Sequence, residues 1–140
     1  MEFEPPDYRA SLARFVDGYR GQAQTAIAST GMVFDFYARL FGDDRIGRSH
    51  RGLVNAVLAY FVVPEDLLPE AELGPWGLLD DLYLAAYAYR LLDREVPREV
   101  LRDAWRGDAD LHQTMDTIYK ETRSALGKQT KDVLRLAGLS

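Results

Sequence analysis

The stretch Ala59–Arg90, AYFVVPEDLLPEAELGPWGLLDDLYLAAYAYR, decides the fold. Its ends are apolar, and its middle carries Glu65, Asp66, Glu70, Glu72, Asp80 and Asp81 with Pro64, Pro69 and Pro75. Upstream, RGLVNAVLAYF (Arg51–Phe61) predicts a short, strongly apolar helix. Pro64 must end it, because a proline pushes the residue before it out of the helical region. Downstream, GPWGLLDDLYLAAYAYRLLD (Gly74–Asp93) predicts a second buried helix rich in leucine, alanine and tyrosine. The two form a helical hairpin expected at the centre of the core.

Working outward, Pro5, Pro6 and Asp7 signal a helix start. Tyr8, Leu12, Phe15, Val16, Tyr19, Ala23 and Ile27 then recur at three- and four-residue steps. Val33, Phe34, Phe36, Tyr37, Leu40 and Phe41 continue the apolar pattern to Gly42, and Gly31 leaves the continuity of the segment open. On the other side, Pro97 opens PREVLRDAW and Gly107 closes it. Leu111, Met115, Ile118, Thr122, Ala125, Gln129, Val133 and Leu136 follow a 4-3-4-3 spacing that predicts one long helix from Asp108 toward the C-terminus. Period-two alternation and hairpin-turn dipeptides are missing. The expected fold is all-α, a compact bundle of five or six helices in one domain over 1–140. Its hairpin core lies at about 50–92, with flanking helices at 7–42 and 97–137.

The hairpin spacing resembles the YkvA-like family, a bacterial domain of unknown function. Its core, similar to Y-x-x-x-P-x-D-L-[IL]-P followed by G-x-x-D-D-[LI], maps onto Tyr60, Pro64, Asp66, Leu67, Leu68 and Pro69, then Gly77, Asp80, Asp81 and Leu82. Glu65 stands where an apolar or small residue is common, and the EAELGPWG loop is unusually acidic. The resemblance implies a fold element and little mechanism. Members are sometimes suspected of membrane association because of the apolar hairpin; in this chain acids interrupt it, leaving it too short and polar to span.

Two readings of the acids stand side by side. Asp66, at a turn start after Pro64, and Asp80 and Asp81, early in the second helix, are placed to accept orphan backbone N–H groups and to oppose the helix dipole. Alternatively Asp66, Asp80, Asp81 and Glu70 converge on a magnesium or calcium ion, which prefers oxygen ligands. Adjacent Asp80 and Asp81 point different ways on a helix, so at most one is a direct ligand. No cofactor is otherwise implied. No catalytic constellation is legible: the two histidines, His50 and His112, fall in different helices, and no serine lies in a G-x-S-x-G turn.

Arg45, Arg48, His50 and Arg51 read as a surface cluster balancing Asp43 and Asp44, and His112 as a surface partner of Asp108 and Asp116. Arg90, Arg94, Arg98, Arg102 and Arg106 recur every four residues, interleaved with Asp93, Glu95, Glu99 and Asp103. That pattern predicts a salt-bridged solvent face.

The chain has no cysteine, which rules out disulfides and thiolate chemistry. MEFEPPDYRA lacks the basic and apolar regions of a signal peptide, and a cytoplasmic location is expected. A net charge of -5 argues against bulk nucleic-acid affinity. The charge is two-sided, however: residues 53–85 hold six acids and no base, whereas Lys120–Ser140 hold five bases against two acids. Lys120, Arg123, Lys128, Lys131 and Arg135 therefore mark the expected partner surface, for a protein partner, a second copy or the periphery of a membrane. The leading expectation is a non-catalytic protein-interaction module. The alternatives are a divalent-metal protein, hydrolytic if the acids are catalytic, and a peripheral membrane protein.

Overall fold

The computed structural model describes residues 24–62 and 78–139. The fold is all-α, and the described residues include no strand. In chain order the helices are α1 (Gln24–Ala28), α2 (Thr30–Phe41), α3 (Arg48–Val62), α4 (Leu79–Glu95), α5 (Arg98–Ala104), α6 (Leu111–Leu126) and α7 (Thr130–Leu136), the last two joined by a 3-10 turn at Gly127–Gln129. The expected helix start at Pro5–Asp7, the stripe from Tyr8 to Ala23, and the loop carrying Glu65, Asp66, Glu70 and Glu72 lie outside the described residues.

Helix α4 is the hub. Leu79, Leu82, Leu84, Ala85, Ala86, Ala88 and Leu92 are all fully enclosed, so apolar side chains point inward around most of its circumference. Fully burying a leucine contributes roughly 1.5–3 kcal/mol, so this helix alone gathers a large share of the folding drive. The α3–α4 hairpin expected from the sequence is in contact. The most extensive neighbour of α4 is α6, however, and α3 packs more extensively on α2 than on α4. The apolar faces of α2 and α6, in which Phe34, Phe36, Tyr37, Met115 and Ile118 recur at helical spacing, explain why each competes successfully for the hairpin.

The question at Gly31 resolves at Ser29, one residue of turn between α1 and α2, while Gly31 lies inside α2. Ser29 Oγ donates to Thr25 O at 2.9 Å and Thr30 Oγ1 to Ile27 O at 2.6 Å. These hydroxyls compete with the backbone ladder and mark the step between the helices. The single long C-terminal helix is corrected in two places. It starts at Leu111, where Asp110 Oδ2 accepts from Gln113 N at 2.9 Å as an N-cap. It breaks at Gly127, whose φ of 56° and ψ of -122° favour glycine. The break turns Gln129, expected at a core position, out to solvent. Helix α5 likewise stops at Ala104 rather than running to Gly107.

Tertiary polar contacts fix the packing. Tyr37 Oη, fully buried on α2, donates to Ala85 O of α4 at 2.5 Å. Glu121 Oε1 of α6 accepts from Ala26 N of α1 at 3.0 Å. Arg51 donates to the carbonyls of Phe41, Asp43 (3.1 Å) and Ile46 (3.3 Å), binding the α2–α3 connection to α3.

Candidate functional site

Three places gather chemistry-bearing side chains: the head of α4, the α6–α7 surface, and a groove beside α5. At the head of α4, Asp80 and Asp81 stand in the first turn, as expected, but neither is a solvated cap. Both are fully buried. Asp80 Oδ1 accepts from Asp81 N at 3.0 Å, and Asp80 Oδ2 accepts from Tyr60 Oη of α3 at 3.3 Å. Burying carboxyl groups is costly unless hydrogen bonds offset the lost hydration. A pair held at zero exposure is therefore a constrained feature, and Tyr60 ties it across the hairpin.

The same residues carry the chain's likeness to known sequences. Residues 50–87 match the DUF1232 family, a protein family of unknown function. The match covers the Tyr60, Asp80 and Asp81 geometry and supports the segment-level resemblance; the name YkvA-like is not part of it. The chain is also similar to the "Uncharacterized protein ORF9" of Methanothermobacter thermautotrophicus, 26% identical over 121 residues, which covers 86% of this chain and 83% of that protein. This likeness extends well beyond the DUF1232-matched segment, into flanking sequence that the hairpin motif does not reach. No solved structure matches significantly.

Of the four acids expected to converge, Asp80 and Asp81 are adjacent and buried, while Asp66 and Glu70 lie outside the described residues. Among the described residues no group of three or more histidine, aspartate or glutamate side chains is placed to hold a metal ion.

The expected partner residues Lys120, Arg123, Lys128, Lys131 and Arg135 are all exposed, on α6, the Gly127–Gln129 turn and α7. Lys120 pairs with Asp116 at 3.0 Å and Arg135 with Asp132 at 3.3 Å. Arg123 lies 6.0 Å from the centroid of the Tyr119 ring, which also carries the Arg90 guanidinium at 4.5 Å. Leu136 is 60% exposed beside them. No helix among the described residues is long and apolar enough to cross a membrane.

Among the described residues the arginine series does not form the predicted salt-bridged face. The interleaved acids pair elsewhere: Asp93 with His112 (3.7 Å), Glu95 with His50 (2.8 Å) and Asp103 with Arg45 (3.1 Å). His112 therefore partners an acid on α4, not Asp108 or Asp116 on its own side. Arg45 also holds Asp43 at 2.7 Å, and this hydrogen bond lowers the Asp43 carboxyl to about 2. Of the balance predicted for the Arg45, Arg48, His50 and Arg51 cluster, the Arg45–Asp43 pair is present, whereas His50 pairs with Glu95 and Arg51 donates to backbone carbonyls.

Beside α5 lies a half-open groove of about 410 Å³, formed by the end of α4, α5, and the segment leading into α6. Its lining includes Tyr89, Asp93, Arg98, Arg102, Trp105 and His112, with the His112 ring centroid 6.1 Å from that of Tyr89. Enclosure, then the nearby Asp93 and Asp110 charges, push the Tyr89 phenol up to about 12. No sequence signal singled out this groove. Arg98 and Arg102 read as members of a salt-bridged face, and the extended segment after Ala104 that brings Trp105 alongside them is a tertiary result.

Proposed function

We propose that this protein is a non-catalytic helical module that acts through protein contacts, with the α6–α7 surface as its contact face. One observation carries the reading: Leu136, a large apolar side chain, is 60% exposed on α7, the helix that also carries the exposed cations Lys131 and Arg135. Such a surface fits an acidic partner that also offers apolar area. The acid-rich segment of a second copy has that chemistry, since Glu65, Asp66, Glu70 and Glu72 alternate with leucine, alanine and proline. Asp80 and Asp81 are buried and take no part in the contact. Sedimentation velocity of the full chain across salt tests the reading. A mass above the monomer at low ionic strength that falls toward it as salt screens the charges supports it; a monomer at every salt and concentration refutes self-association.

A second reading, a magnesium or calcium site at the hairpin, is favoured by the full burial of Asp80 and Asp81 next in sequence to the acidic segment. Thermal melts with EDTA, magnesium or calcium separate the two. A metal-specific rise in midpoint that disappears in Asp80→Asn supports a cation site. An unchanged wild-type midpoint, with the variant destabilised, makes the acids part of the hairpin's packing.

A further inference from the structure

We infer that the groove beside α5 binds a small aromatic molecule bearing an oxyanion, with Arg98 and Arg102 holding the anion and Trp105 the ring. The inference is independent of the contact face on α6–α7. Asp110 accepts from Gln113 N as the cap of α6, and Asp93 faces His112 at 3.7 Å. Arg98 and Arg102, by contrast, form no ion pair with any described residue and are exposed. They stand one turn apart on α5, so both guanidinium groups reach one side of the groove. Two uncommitted forks at that separation suit a carboxylate or phosphate, each of which accepts paired N–H donors.

The apolar wall is fixed in advance. Trp105 Nε1 donates to Ala109 O at 2.8 Å, and its ring lies edge-on to Phe36 with centroids 6.0 Å apart. Gly107 passes so close beneath the indole that an added Cβ would fall 2.4 Å from Cζ2. The indole is therefore held by a hydrogen bond, a ring contact and a backbone that leaves it no room on one side. Leu101 and Leu111 extend the apolar lining. A volume of about 410 Å³ lies within the range of small-molecule sites, roughly 300–1,000 Å³. A fixed aromatic wall with two cations that lack an ion-pair partner among the described residues favours a ring joined to an anion over a neutral sugar, and the Asp93 and Asp110 carboxylates line the same groove.

The test is a titration of the full, 15N-labelled chain at low salt, following the Trp105 indole N–H and the backbone amides of 98–112. The probes are benzoate, phenyl phosphate and neutral benzyl alcohol. Either anion should shift the Trp105 indole and the groove amides in a saturable way, at least about tenfold more tightly than benzyl alcohol. Whichever anion binds more tightly tells whether the native ligand is a carboxylate or a phosphate. Arg98→Gln with Arg102→Gln should weaken that anion by about tenfold or more, whereas the control pair Arg94→Gln with Arg106→Gln, exposed and outside the groove lining, should not. Equal affinity for benzyl alcohol, equal loss in both arginine pairs, or shifts scattered away from the groove would overturn the inference. Either double variant removes two exposed charges, so the comparison holds net charge constant.

Discussion

Replacing Tyr37 by Phe removes one hydroxyl and little else. The phenol is fully buried on α2 and donates to Ala85 O of α4 at 2.5 Å, joining residues 48 apart in sequence. The ring, which meets Phe36 edge-on with centroids 5.2 Å apart, is retained in the variant. Ala85 O lies within α4 and keeps its helical N–H partner, so the carbonyl is not orphaned. The expected loss is thus that of one net hydrogen bond, about 1 kcal/mol, or about 3 °C in melting temperature for a chain of this size. Tyr37→Ala, which also opens a cavity, should cost about 3–5 kcal/mol. Burial first, then repulsion from Tyr89, holds the Tyr37 phenol well above its ordinary value. Its contribution is therefore present below the unfolded phenol value of about 10 and lost as pH rises beyond it, so the gap between wild type and Tyr37→Phe should close in alkali. Urea unfolding followed by circular dichroism, at neutral pH and above pH 10, measures each term. A phenylalanine variant as unstable as the alanine variant, or as stable as wild type at neutral pH, would refute the assignment to the hydroxyl.

Other perturbations have equally definite outcomes. Gly127→Ala should destabilise by about 1–3 kcal/mol in the same unfolding assay, because φ of 56° with ψ of -122° is unfavourable for an L side chain. No atom lies within 4 Å of the added Cβ, so an unchanged midpoint would show that the turn adjusts freely. Asp43, whose folded pKa of about 2 lies below its ordinary 3.8, contributes stability that is present above pH 4 and lost as pH falls toward 2. Acid melts of Asp43→Asn should accordingly show a shallower decline over that interval than wild type; parallel curves would contradict the Arg45–Asp43 bond as its source. Glu121→Gln, which keeps an acceptor for Ala26 N, should be milder than Glu121→Ala, which leaves that amide without its 3.0 Å partner.

The helical hairpin and the all-α class were legible because leucine and alanine recur at helical spacing on both sides of a proline-punctuated loop. The position of Asp80 and Asp81 early in α4 was legible for the same reason, but their burial was not. Local rules treat an aspartate near a helix start as a solvated cap, and nothing nearby in sequence announces that Tyr60, 20 residues upstream, closes over Asp80. The C-terminal break was hidden because Gly127 fits within the 4-3-4-3 spacing, which records side-chain positions and not the backbone's positive φ. The arginine series misled through proximity in sequence. Asp93, Glu95 and Asp103 find their partners on other elements, at His112, His50 and Arg45, and this leaves Arg98 and Arg102 available beside Trp105. The cations Lys120, Arg123, Lys128, Lys131 and Arg135 are exposed, as the sequence pattern implies; helical spacing accounts for Lys120 and Arg123, which share α6 with the buried Met115, Ile118 and Thr122, whereas Lys128, Lys131 and Arg135 lie beyond the break at Gly127.

The contact proposed between the α6–α7 surface and the acidic segment of a second copy is tested most directly by mixing two charge-reversed variants. One carries Lys128→Glu, Lys131→Glu and Arg135→Glu, and the other Glu65→Lys, Glu70→Lys and Glu72→Lys. Analytical ultracentrifugation at low salt reads the mass of each alone and of the equimolar mixture. The account predicts that each variant alone sediments as a monomer and that the mixture forms a heterodimer, because one retains the acidic segment and the other the basic face. Two monomers that stay apart on mixing, while the wild type associates, would contradict it.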